Sequence, residues 1–196
     1  MIAVVDYGAG NITSVKRAIE HLGQSCEVSA DPLLIARSDR IIIPGVGNFR
    51  ATAALSKNGL RAALGHHISL GKPLLGICLG LQWLFSSSDE APQIPGLGAF
   101  TETCRHLPKQ VKAPHVGWDQ LKICRDSRLL RGIASGECVY FAHRYCAPVV
   151  AGTVAACDYG HTFSAAIEST NLFGVQFHPE KSGETGLRIL RNFCTC

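Results

Sequence analysis

The sequence predicts an α/β fold in which a mostly parallel central sheet carries antiparallel additions. Three observations support this. In the first half, three apolar runs each pass through a turn into a segment of helical periodicity. In the second half the texture changes to short β-prone runs broken by Gly and Pro, and the chain closes with an apolar run followed by an amphipathic helix. The 196 residues, 46% hydrophobic and 17% charged, suffice for one well-buried core, so residues 1–196 are expected to form a single domain.

The elements follow in order. Ile2–Asp6 is a short strand closed by Tyr7-Gly8-Ala9-Gly10, after which Ile12, Val15, Ile19 and Leu22 keep helical spacing up to a stop at Gly23. A second strand, Ile41–Ile43, ends at Pro44-Gly45-Val46-Gly47 and leads into an Ala-rich helix near Ala51–Leu64. The third unit is Pro73–Ile77, which meets Cys78 and passes into a helical stretch at Leu79–Phe85. Repeated strand-turn-helix units imply parallel strands covered on both faces. Beyond Ser86–Glu90, the runs Trp118–Ile123, Val139–Phe141, Val149–Ala156 and Phe163–Ile167 read as antiparallel strands added to the sheet. The last strand is Leu172–Phe177, and the last helix presents Leu187, Ile189, Leu190 and Phe193.

Composition excludes several functions. The net charge of +4 arises from scattered residues, without the basic block or basic-aromatic stripe of a nucleic-acid binder. No apolar run reaches the length of a membrane span, and Met1 leads into a strand without signal-peptide features, so a cytoplasmic protein is expected. Nine cysteines, an odd number in a chain of this size, read as buried hydrophobes or free thiols rather than a disulfide framework. Cys194 and Cys196 lack neighbours at zinc spacing, and the adjacent His66 and His67 read as a solvated helix end, so neither a metal nor a cofactor is expected. Gly8-Ala9-Gly10 begins like a dinucleotide fingerprint, but Thr13 stands where the third glycine is required.

The chemistry concentrates at Gly76-Ile77-Cys78-Leu79-Gly80, which has the form of a nucleophile elbow: a reactive residue on a sharp strand-to-helix turn, with glycines relieving the crowding. The following helix start favours a thiolate. A thiol needs a base, and imidazole is matched to neutral pH. His178 follows the strand at 172–177 and should stand at the same C-terminal sheet edge as Cys78. An extended backbone before Pro179 points residues 178 and 180 the same way, which lets Glu180 accept a hydrogen bond from the imidazole and complete a triad. The N–H of Leu79 and an N–H from Gly45-Val46-Gly47 are candidates to stabilise an oxyanion.

Through GICLGLQ at 76–82 and VQFHPEKSG at 175–183 the chain resembles the class I (triad) glutamine amidotransferases. DYGAGN at 6–11, PGVGNF at 44–49, PHVGW at 114–118 and YFAHRY at 140–145 make it similar, within that family, to the glutaminase subunits of histidine biosynthesis. The resemblance implies a three-layer, flavodoxin-like fold and hydrolysis of glutamine through a cysteine thioester. It also implies a heterodimer in which ammonia is channelled to a (β/α)8-barrel cyclase subunit. It implies catalytic roles for Cys78, His178 and Glu180, an oxyanion strand at 44–47 that rearranges when the synthase site is occupied, and glutamine contacts at Gln82, Glu90, His143, Arg144 and Tyr145. Asn11, Trp118, Tyr140 and Lys181 match positions facing the barrel, although a core position suits Trp118 equally. Arg144 replaces a small hydroxyl residue of the family; a backbone contact would tolerate it, a lost hydroxyl contact would weaken glutamine binding. Asp119 replaces a common asparagine. A glutaminase serving another synthase, or a scaffold that binds the barrel without turning over glutamine, are the alternatives.

Overall fold

The computed structural model describes residues 1–196. Its main sheet has eight strands. Five are parallel: β1 (Ile2–Val5), β2 (Cys26–Ser29), β3 (Arg40–Ile43), β4 (Leu74–Ile77) and β13 (Leu172–Val175), in the order β2-β1-β3-β4-β13. Beside β13 the sheet continues antiparallel through β12 (Thr162–Ser169), β11 (Thr153–Asp158) and β8 (Lys122–Ile123). The parallel half therefore has the flavodoxin-like strand order.

Pleating divides the strands' side chains between two cores. Ile2, Val4, Ile42, Leu75 and Ile77 pack against α1 (Ile12–His21) and α5 (Gly183–Thr195), whereas Ala3, Val5, Ile41, Ile43 and Leu74 pack against α2 (Pro32–Arg37) and α3 (Leu60–Ser69). Three layers result, and β1, β4 and β13 are buried along their whole length.

The structure corrects several expectations. β2 and α2 fill the segment between Gly23 and Ile41, where no element is expected from periodicity. The predicted helix at 51–64 is two pieces, a 3-10 helix at Phe49–Ser56 and α3, because Asn58 and Gly59 take positive φ angles of 51° and 80°. The helix after Cys78, α4 (Leu79–Trp83), stops early, and Phe85 opens β5 (Phe85–Ser88), which pairs with β6 (Phe100–His106) and through it with β10 (Tyr145–Cys146). The run at 118–123 is divided: β7 (His115–Gln120) forms a separate ribbon with β9 (Cys138–His143), and only Lys122–Ile123 joins the main sheet. His67 is not solvated. It is fully buried, its Nε2 lies 3.0 Å from the Pro73 carbonyl, and burial lowers its pKa. All nine cysteines are free, and no helix is long and apolar enough to cross a membrane.

Candidate active site

The parallel pairing of β4 with β13 sets Ile77 opposite Val175, so both strands deliver their next residues to one edge. Cys78 N–H donates to the Val175 carbonyl at 2.7 Å. Cys78 then turns with φ 52° and ψ −101°, outside the preferred regions for a residue with a side chain. Such a conformation costs about 1–3 kcal/mol and persists only where its surroundings impose it. Here they do. A Cβ on Gly76 would lie 2.4 Å from the Gly80 carbonyl oxygen, and one on Gly80 would lie 2.0 Å from the Ile43 carbonyl oxygen. The two glycines of the elbow thus let α4 press directly on the strands behind it.

On the neighbouring strand end, His178 is extended (φ −102°, ψ 96°) and its N–H donates to the Tyr140 carbonyl at 2.8 Å. Ser182 Oγ donates to the His178 carbonyl at 2.6 Å and accepts from Tyr140 N–H at 2.9 Å, which latches the segment to β9. The imidazole Nδ1 lies 2.9 Å from Glu180 Oε1. The contact arises differently from the expected extended alternation: Pro179–Lys181 is a 3-10 turn, and its tight curl carries the Glu180 carboxylate back to the ring. Nδ1 donates to this carboxylate, which leaves the Nε2 lone pair, without a hydrogen-bond partner, as the basic site. Burial disfavours the imidazolium, but the neighbouring Cys78 and the Glu180 carboxylate outweigh it and raise the His178 pKa well above the ordinary imidazole value.

Cys78 opens onto a cavity of about 250 Å³. Gly47, Leu79, Gln82, Glu90, His143, Arg144 and Tyr145 line it with the thiol, so the structure brings together these predicted residues from four separate segments. A larger cleft, about 490 Å³ beside Phe100, Arg125 and Glu168, contains none of them. Gln82 Nε2 donates to the Tyr145 carbonyl at 2.7 Å, which makes Gln82 a strut of the wall. Glu90 Oε2 accepts from Phe49 N–H at 2.7 Å.

A family model described as glutamine amidotransferase class-I matches residues 3–195. The chain belongs to this family. It is 47% identical over 194 residues to the imidazole glycerol phosphate synthase subunit HisH of Methanothermobacter thermautotrophicus, covering 98% of this chain and 97% of that protein. The subunit of the same name from Moorella thermoacetica is 46% identical over 198 residues, covering 98% and 93%. Among solved structures, one described as a glutamine amidotransferase superposes with a TM-score of 0.78 at 18% identity, covering 100% of this chain and 98% of that one. PurLQS from Thermotoga maritima gives 0.75 at 21% identity, covering 99% and 97%. At these identities the structural likeness shows a shared class I amidotransferase fold.

Within that fold the 44–47 segment, expected to serve as an oxyanion strand, is turned against that use. Leu79 N–H donates to the Gly45 carbonyl at 3.4 Å, so Gly45 offers an acceptor where a donor is needed. Val46 is exposed and does not line the cavity, whereas Gly47 does, with φ 97°.

Three groups here escape sequence reasoning. Gln176 is fully buried, and its Nε2 donates to Cys78 Sγ at 3.6 Å. It lies two residues before His178, and strand alternation alone places it on the same face. Ser182 is the latch described above. His115 is the third: its Nδ1 lies 3.2 Å from His143 Nε2, and His143 Nδ1 lies 3.1 Å from the Tyr145 carbonyl. The carbonyl can only accept, so His143 donates through Nδ1 and receives through Nε2, and His115 Nε2 is left facing Asp119 Oδ2 at 3.3 Å. Of the predicted partner-facing residues, Trp118, Tyr140 and Lys181 cluster: the two rings meet edge-on at 6.1 Å, and Lys181 Nζ lies 5.7 Å from the Tyr140 centroid. Trp118 is 58% exposed, which settles it on the surface rather than in the core. Asn11 is the residue before α1, a helix that packs against the 3-10 turn carrying Lys181.

Proposed function

We propose that Cys78, His178 and Glu180 are the triad by which this chain, a glutaminase subunit of an imidazole glycerol phosphate synthase, hydrolyses glutamine, and that residues 1–196 act as one amidotransferase domain. The observation that carries the assignment is the pairing of a strained cysteine at the cavity floor with a buried imidazole whose Nδ1 is fixed on a carboxylate at 2.9 Å.

His178 Nε2 accepts the Cys78 proton, and the thiolate attacks the side-chain carboxamide carbon of glutamine, forming a C–S bond. The oxyanion is received by Leu79 N–H once the Gly45 carbonyl has turned away, together with an N–H of the 45–47 strand. Collapse of the intermediate breaks the C–N bond, and ammonia leaves with the proton held on Nε2. Water, deprotonated by the same nitrogen, then attacks the thioester, and glutamate departs as the thiol is restored. Glu180 holds the productive tautomer throughout. Gln82 and Tyr145 shape the wall, and Glu90 receives the substrate's ammonium group through the oxygen not bonded to Phe49.

The Trp118, Tyr140 and Lys181 cluster, with Asn11, is the surface for a (β/α)8-barrel cyclase subunit that consumes the ammonia; a large exposed aromatic braced by a second ring and a cation suits an interface anchor. Occupation of that partner supplies the drive to turn the 44–47 strand. The test is Cys78→Ala in the assembled complex. Glutamine-dependent synthesis is expected to vanish while synthesis from added ammonium salt continues at the wild-type rate. Loss of both activities, or survival of the first, overturns the assignment.

A further inference from the structure

A buried amide faces the Cys78 sulfur. Gln176 Nε2 lies 3.6 Å from Sγ, whereas the other polar neighbour of the thiol, the Ala142 carbonyl at 3.9 Å, can only accept. Hydrogen bonding alone settles which end of the Gln176 amide meets the sulfur. The Tyr145 carbonyl accepts from Gln82 at 2.7 Å, so the Gln82 atom placed there is its nitrogen. The same nitrogen lies 3.4 Å from Gln176, and its second N–H requires an oxygen at that point, Oε1. Gln176 Nε2 is thereby left to Cys78. A row of polar contacts runs from a backbone carbonyl through two amides to the sulfur, and its polarity is set at the backbone end.

The row is held in place. Gln176 is fully buried, its N–H donates to the Ala165 carbonyl on β12 at 2.8 Å, and the carbonyl of the preceding Val175 accepts from Cys78 N–H at 2.7 Å. An amide fixed in a low-dielectric interior presents its dipole without reorganising when charge appears beside it. In the triad, the N–H offered to a thiolate is the one His178 has just taken from it, and that proton must leave with ammonia. We propose that Gln176 is a fourth catalytic residue, whose amide N–H stabilises the Cys78 thiolate. This rests on the triad reading of the site and deepens it. The thiolate exists twice in the cycle: once His178 has withdrawn the thiol proton, and again as the C–S bond of the thioester breaks. The Gln176 donor serves both moments, and no proton leaves the amide.

The experiment treats the complex assembled with the barrel partner with iodoacetamide and follows alkylation of the Cys78 peptide by mass spectrometry, in wild type, Gln176→Met and Gln176→Asn. Methionine keeps the length without a donor; asparagine keeps an amide but falls one methylene short. At pH 7 the Cys78 alkylation rate is expected to fall about 10-fold in both variants, as for loss of one hydrogen bond to a charged group, and kcat/KM for glutamine to fall by a similar factor. Near pH 10, above the ordinary thiol range, the alkylation rates of variants and wild type are expected to converge, because the thiol is then ionised without help. A deficit that persists near pH 10 reflects lost access or packing and overturns the inference, as does a wild-type alkylation rate at pH 7 in either variant. Absence of glutamine turnover by the wild-type complex overturns the glutaminase reading and the catalytic role with it, whatever the alkylation profile.

Discussion

At the scale of single residues, reactivity depends on what each side chain is prevented from doing. His178 could bind its proton on either nitrogen, but Glu180 claims Nδ1, and the imidazole is left with one basic site. Glu180→Gln removes the charge and permits the wrong tautomer, so kcat for glutamine hydrolysis should fall by about 10²–10⁴-fold in steady-state assays. The same substitution carries a pH signature. The His178 pKa is raised in the folded protein above its unfolded value of about 6.5. Its contribution to stability is therefore complete below pH ~6.5 and is lost as pH rises through the raised folded value. Urea midpoints measured from pH 6 upward should fall in the wild type and fall less in Glu180→Gln. The strained turn at Cys78 and the pairing of His178 with Glu180, on which the proposed triad rests, were legible from the glycine-flanked elbow and the His-Pro-Glu segment. Gln176 was legible in principle, through strand alternation. His115 was not, because nothing local to it announces a partner 28 residues away.

At the scale of elements, the elbow is the feature on which the rest turns. Strand β4 and helix α4 meet at an angle that backbone atoms alone can tolerate, since a methyl group on Gly80 would enter the Ile43 carbonyl. Gly80→Ala should destabilise the protein by about 1–3 kcal/mol, read as a lowered urea midpoint, with glutaminase activity lost at temperatures where the fold survives. Long, strongly periodic segments such as α1 and α5 were readable from sequence, because one apolar stripe per helix is a local property. Edge and junction elements were not. β2 is only half-buried and has no run of apolar residues, and α2 is a short helix, although Asp31 capping Leu33 N–H ahead of Pro32 is a start signal present in the sequence. The division of 115–123 between ribbon and sheet depends on which strand each half pairs with, and a run of residues does not encode that choice.

At the scale of the whole molecule, the proposed catalytic site and the proposed partner-facing surface are joined through one segment. His178 is bound to Tyr140 by a backbone hydrogen bond of 2.8 Å, and Tyr140 carries the edge-on contact to Trp118 on the exposed side of the ribbon. A partner docked on the ribbon would therefore touch the strand that also holds His178. Trp118→Ala should weaken assembly with the barrel subunit by about 2 kcal/mol or more, roughly 30-fold in Kd by calorimetric titration. Rates at saturating partner should recover most of the loss if Trp118 acts only as an anchor.

The sequence by itself determined the classes of element, the three strand-turn-helix units, and the cysteine on its glycine-bounded turn with the histidine proposed as its base. These are local facts, written in periodicity and in the spacing of a few residues. Only the tertiary structure decided that β13 lies beside β4, so that residues 100 positions apart share one edge. It also decided that the Gly45 carbonyl occupies Leu79 N–H, and that Gly47, Gln82, Glu90 and Tyr145 line one cavity with Cys78. The physical reason is the same in each case. A strand's neighbours, a peptide's rotation and a side chain's partners are fixed by how all the layers pack together, and no short stretch of chain contains that information.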